Sequence, residues 1–331
     1  MPKNIKLQTT VPLERAAFQI GPNDPVMLVG SCFTETMGKR MADLGFKVNV
    51  NPFGILYNPT SILTALDYCL NDKEIPKQWL VQHDGLWHSW QHHGSFSRTD
   101  RQECIDACNS SIHEAHRFLN DCRTLVITMG SAYCFSHSEP QSQDFIVGNC
   151  HKVPEKEFVR TLLSPEEIVS QWEKPLETLS ARGIRVIFTV SPVRHQAYGL
   201  HGNQLGKATL LLALNHLLNS HNSPITIHQS RITGHRSLVT DHWSQVTGHE
   251  MSIHNSQFTI HNSYFPAYEI MMDELRDYRY YADDLLHPSP LAEEIIWQRF
   301  QQTYMTEETI AICDSREKEN RRAAHRPLHS N

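Results

Sequence analysis

Residues 26–41 read VMLVGSCFTETMGKRM: an apolar run, a glycine, two adjacent nucleophile types at Ser31 and Cys32, and then a helical pattern. A serine or cysteine between the end of a strand and the start of a helix stands where open α/β sheets place their active sites. Free backbone N–H groups at such a helix N-terminus favour a developing negative charge. Position alone therefore nominates both side chains. A hydroxyl needs a base to take its proton, and the base needs an acid to hold its tautomer. The segment YADDLLHPSPLAEEIIW supplies both: Asp284 and His287 are three residues apart, so one turn can present a carboxylate and an imidazole to a nucleophile from elsewhere in the chain. Ser289 reads as an N-cap and Pro290 as the first helical residue, which anchors the pair on a final helix.

The elements that must position these groups follow from periodicity. Strands are expected at 26–30, 46–52, 124–130, 184–192 and, more weakly, 264–270. Between them, Phe33, Met37, Met41 and Leu44 form one apolar helical stripe that Gly45 can end, and Ile168, Trp172, Leu176 and Leu179 form another before Gly183. KATLLLALNHLLN (207–219) reads as a largely buried helix. Alternation of this kind predicts a three-layer α/β/α sandwich around a five-stranded parallel sheet. The Asp-x-x-His motif is common by chance, and lying after the last strand, with the Gly-Ser corner after the first, makes it more specific.

The blocks GSCF, NPFGILYNP, SWQHHGSFS, GNCHKVP, TVSPVRH and DELRDYRYYADDLLHPS, in this order, resemble the GSCFA family over most of 1–218 and 264–305. That family is grouped with the SGNH, or GDSL-like, hydrolases, which are serine esterases and acyl hydrolases on a five-stranded parallel sheet. The resemblance implies Ser31 as nucleophile, Asp284 and His287 as acid and base, and an oxyanion hole from the backbone N–H groups of Ser31 and Gly54. It favours Ser31 over Cys32, because adjacent residues on a turn point in different directions and only one can face His287; Cys32 is then packed beneath the turn. In the third block SGNH enzymes carry Gly-x-Asn-Asp, whereas MGSAYCF places Ala132 at the asparagine; Asn149 could reach into the site instead, and Ser131 is another candidate donor. Losing one such donor costs about two to three orders of magnitude in rate.

Other side chains could meet substrate. His88, His92 and His93 lie among Trp87, Trp90 and Phe96 in the long connection between the second and third strands, either as a substrate-facing wall or as a packing loop. Arg194 and His195 follow the fourth strand on the crevice side, where an anionic group could bind. The reading is an esterase that removes an acetyl or similar small acyl group from a carbohydrate or metabolite through an acyl-serine, with no metal or organic cofactor. The alternatives are acyl transfer to another hydroxyl at the same site and a non-catalytic glycan-binding protein on a degenerate hydrolase fold.

Composition bounds the rest. A chain of 331 residues with net charge −6 offers no basic surface for nucleic acid, and no apolar segment suggests a signal peptide or membrane span, so a soluble, cytoplasmic protein is expected. Its oligomeric state is left open. Eight cysteines spread over this length read as reduced, and Cys104 and Cys108, four apart on a helix, read as apolar fillers more readily than as metal ligands. Histidines at 221, 228, 235, 242 and 249, then 254 and 261, mark a heptapeptide repeat of the form His-x-Ser-x-apolar-Thr-x. The expected organisation is one hydrolase domain from 1–218 and 264–312, an inserted repeat at 219–263, and a flexible charged tail at 313–331. Metal binding by the repeat is disfavoured, since nothing in the sequence fixes converging ligands.

Overall fold

Val26–Gly30 is buried at every position and forms β1, as a continuous apolar run must when helices cover both faces of a parallel sheet. The computed structural model describes residues 9–137, 145–222 and 262–324. In it β1 lies between β2 (Val48–Val50) and β5 (Thr124–Met129); β9 (Arg185–Val190) and β10 (Ser263–Tyr264) extend the sheet beyond β5. The order is β10-β9-β5-β1-β2 and every neighbouring pair is parallel. The chain leaves β1 toward β2 and later returns to β1's other side as β5. The switch point where open sheets bind ligands therefore lies at the carboxyl ends of β1 and β5.

Helices α1 (Cys32–Asp43), α7 (Pro290–Tyr304) and α8 (Glu307–Ala324) cover one face, where Phe33, Met37 and Met41 pack with Phe265, Trp297 and Phe300. Helices α2 (Pro59–Asn71), α3 (Arg101–Asp121), α4 (Pro165–Ala181) and α5 (Gly199–Asn222) cover the other, with Trp172 T-stacked on Phe188 of β9. The fold is thus the three-layer α/β/α sandwich that the alternation predicted.

Several expectations need correction. Of the strand expected at 264–270 only Tyr264 pairs with β9, beside Ser263 just before it; Pro266 has no N–H for a ladder, and Ala267–Glu269 (α6) runs into a π-turn at Ile270–Glu274. Ala267, Ile270 and Met271 are all buried, and they recur at helical rather than strand spacing. The expected charged tail is helical to residue 324: Cys313 is fully buried, Arg316 donates to the Leu44 carbonyl, and Glu317 pairs with Arg40 at 2.9 Å. Its charges face α1 and α7 as well as solvent, which composition alone does not reveal. Of the heptapeptide tract, residues 223–261 lie outside the described residues.

Two small antiparallel sheets decorate the crossovers. A hairpin pairs β3 (Leu80–His83) with β4 (Leu86–Ser89) through Asp84 and Gly85, both at positive φ. A three-stranded sheet orders β7 (Ile146–Val147), β6 (Tyr133–His137) and β8 (Phe158–Leu162). The second sheet follows β5 directly and so builds out over its carboxyl end.

Candidate active site

The corner after β1 is fixed by backbone. Gly30 has φ +145, and a Cβ there would lie 2.1 Å from the Thr128 carbonyl oxygen, so the close approach of β1 to β5 demands glycine. Its N–H donates to Asn51 Oδ1 at 2.8 Å, its carbonyl accepts from Leu56 N–H at 2.9 Å, and the next N–H, of Ser31, donates to Thr128 O at 3.1 Å. Ser31 is the N-cap of α1 in extended conformation, with no side-chain capping bond. Its hydroxyl turns inward: the residue is 1% exposed and Oγ has no hydrogen-bond partner among the described residues.

Cys32 is the first residue of α1. The helix buries Phe33, Met37 and Met41, and at 100° per residue Cys32 is rotated off that stripe toward the crevice. Its sulfur lies 3.7 Å from His287 Nε2. The turn therefore brings Cys32, not Ser31, to the histidine, and Cys32 is not packed beneath the turn. Burial raises the thiol pKa, partly offset by the N–H groups of Phe33 and Cys32 and by Lys207, so the resting group is a thiol that needs a base.

The imidazole facing Cys32 sits on a surface turn. Asp284 Oδ1 accepts from the N–H groups of Leu286 at 2.9 Å and His287 at 3.0 Å, while Oδ2 meets His287 Nδ1 at 2.5 Å. The two backbone bonds and the imidazole hold the Asp284 carboxyl down at about 2, so it is ionised throughout the neutral range. An ionised carboxylate keeps the proton on Nδ1 and turns the Nε2 lone pair toward the Cys32 sulfur. Leu285, at φ +59, gives the chain the tight reversal these bonds need.

A cavity of about 230 Å³ opens beside Cys32, walled by Tyr57, Tyr133 and Tyr198, with Ser131, Asn149 and His195 also facing it. No Asp, Glu, Lys or Arg is among the described residues that line it. Asn149 is clamped: its N–H donates to Trp90 O at 3.0 Å, and its Oδ1 accepts from His151 N–H at 2.9 Å, which leaves the Nδ2 end as the donor available to the cavity. Ser131 Oγ accepts from Tyr133 N–H at 3.1 Å and keeps its own O–H to give. The His195 ring lies 6.2 Å from that of Tyr57 and 4.5 Å from that of Tyr198, and burial with nearby Lys207 holds its pKa below the usual range.

The remaining expected residues stand elsewhere. Gly54 N–H is spent on the Asn51 carbonyl at 2.7 Å, and with Ser31 N–H spent on Thr128 neither is free for an oxyanion. Gly54 instead makes a turn at φ +74 where a Cβ would meet His93 Cβ at 2.3 Å. His93 packs there, outside the cavity lining, and its Nδ1 accepts from Ser95 N–H at 3.3 Å. His92 stacks on Phe53 at 4.0 Å, and His88 bonds Ser97 Oγ at 2.6 Å, so this aromatic segment is packing; it serves the site by offering Trp90 O to Gly148 and Asn149. Arg194 is not among the described residues that line this cavity. It lies over the Tyr281 ring at 4.3 Å and its N–H donates to Leu286 O at 3.1 Å, which ties the end of β9 to the Asp284–His287 turn.

Sequence reasoning missed Tyr57 and Lys207. The Tyr57 carbonyl accepts from both Gly130 and Ser131 N–H groups, and its phenol, raised to about 12 by burial and by Cys32 and Glu35, stays protonated beside the cavity. The signal for Lys207 was a cation at the head of the largely apolar KATLLLALNHLL.

A model of the GSCFA family matches residues 25–226 and 246–300. No curated protein matches the chain. Among the described residues no helix is long and apolar enough to cross a membrane.

Proposed function

This chain belongs to the GSCFA family, and from that premise we propose that it is an acyl hydrolase working through a thioester on Cys32. The observation that carries the reading is the chain of contacts from Cys32 Sγ to His287 Nε2 at 3.7 Å and from His287 Nδ1 to Asp284 Oδ2 at 2.5 Å. His287 takes the thiol proton as sulfur attacks the carbonyl carbon, and Asp284 stabilises the imidazolium. The oxyanion is met by the N-terminal N–H groups of α1 and by Asn149 Nδ2, which fills the place left by Ala132. Collapse of the tetrahedral species expels the alcohol, which leaves with the proton from His287. Water, deprotonated by His287, then attacks the thioester; the acid departs and the proton returns to sulfur. An alcohol in place of water would give acyl transfer at the same site.

The substrate is a small acyl group on a carbohydrate or metabolite. A cavity of about 230 Å³ with tyrosine walls and no Asp, Glu, Lys or Arg among the described residues lining it suits an uncharged group of a few carbons or one sugar ring. Turnover of an aryl acetate tests the reaction: Cys32→Ala and His287→Ala should each lose about 10³-fold or more in kcat/KM. Ser31→Ala should stay within a few-fold of wild type. Activity that survives Cys32→Ala and vanishes in Ser31→Ala would return the chemistry to the hydroxyl.

A further inference from the structure

Lys207, on α5, is 2% exposed, and its ammonium has one hydrogen bond among those described, to the Ser191 carbonyl at 2.7 Å. It also lies 5.6 Å from the centre of the Tyr268 ring. No carboxylate pairs with it among the described residues. A buried cation without a counterion is costly, and removing it in favour of an apolar side chain is often stabilising. A fold that keeps one has a use for the charge, and such groups gather at functional sites. Ser191, whose carbonyl it holds, lines the same cavity as Cys32 at the carboxyl end of β9.

We propose that Lys207, buried beneath the Ser191 wall of the cavity, is a positioning residue whose positive charge stabilises the sulfur anion formed at Cys32 when His287 takes its proton. The inference rests on the thioester reading above. The charged and titratable groups that act on Cys32 are Lys207 from α5, Glu35 from its own helix, and His287 from the surface turn; Tyr57 also feels the sulfur. Those around Lys207 are Cys32, His195 and Tyr268. Among them Lys207 is a cation whose charge does not come from the Cys32 proton, which goes to His287. Burial lowers its pKa to about 7, and the sulfur anion pulls it back up, so formation of the thiolate and protonation of Lys207 favour each other. The arrangement resolves the conflict between a thiol whose burial opposes ionisation and a reaction that needs it ionised.

The test is the pH dependence of Cys32 alkylation by iodoacetamide, read by mass spectrometry of the Cys32 peptide, in wild type, His287→Ala, Lys207→Met and Lys207→Gln. Lys207→Gln keeps a donor for the Ser191 carbonyl but no charge, which separates positioning of the wall from electrostatics. Both Lys207 variants should move the alkylation midpoint up by about one pH unit, with a melting temperature equal to or above that of wild type at pH 6. Unshifted midpoints in folded Lys207 variants, with a shift in His287→Ala, would overturn the role of Lys207 and leave the thioester reading standing. No change in His287→Ala would overturn the thioester reading itself. If Lys207→Met fails to fold, Lys207→Gln decides, and a rise confined to Lys207→Met would trace the effect to the lost bond to the Ser191 carbonyl and overturn the proposal.

Discussion

The two halves of the site are held in opposite ways. The Cys32 corner is locked from within the sheet, by a glycine that no other residue can replace and by main-chain bonds to Asn51, Leu56 and Thr128. The Asp284–His287 turn stands on the surface, with both side chains close to half exposed, and is held by Asp284 bonding its own turn, by main-chain bonds between Ala282 and both Leu285 and His287, and by the Arg194 N–H from the loop after β9. The position of Cys32 is therefore part of the folding free energy, whereas Asp284 and His287 are set by local bonds that cost the fold little to lose. Changes at the turn should damage reactivity without stability, and changes at the corner should damage stability first.

That contrast can be broken at each half. Asp284→Asn should give the largest effect, a fall of about 10³-fold in kcat/KM, with a melting temperature near that of wild type; a large loss of stability would mean that the turn is structural. Gly30→Ala forces a Cβ against the Thr128 carbonyl, and denaturant unfolding should report a loss of about 3 kcal/mol. A tolerated alanine would show the corner to be more pliable than its bonds imply. Smallest is Ser31→Ala, which removes a buried hydroxyl without a partner among the described residues and should leave stability unchanged or higher by up to ~1 kcal/mol. A clear destabilisation would sink the inward-facing assignment of that hydroxyl.

Acid should act on a third region, where burial holds His92 at about 3 and His151 at about 4, below their ordinary 6.5. For such depressed groups the unfolded chain binds protons first, so stability falls as pH drops from about 6.5 toward 4. These histidines flank Ser89, and His151 N–H holds Asn149. Asp284, held at about 2, stays charged across that window.

Much of the frame was legible because β1, β5 and β9 are continuous apolar runs, which parallel sheets require. The choice between Ser31 and Cys32 was harder, since side-chain direction changes phase where strand becomes helix and the extended ψ of Ser31 decides it. The information was nevertheless present: Phe33, Met37 and Met41 define the core face of α1, and one residue back along a helix is off that face. Asp84-Gly85 likewise spelled the β3–β4 hairpin. The α8 helix was hidden because its charges pair with Arg40 and the Leu44 carbonyl from distant sequence, and no local pattern encodes those partners. Gly54 was misplaced because a glycine needed for a turn and one needed for an oxyanion look alike in sequence.

The most direct measurement is the location of the acyl group after brief incubation with an aryl acetate, acid quench and peptide mass mapping. An acetyl on Cys32, lost on treatment with neutral hydroxylamine and missing in Cys32→Ala, is the predicted result. An acetyl on Ser31, persisting in Cys32→Ala, would contradict the account.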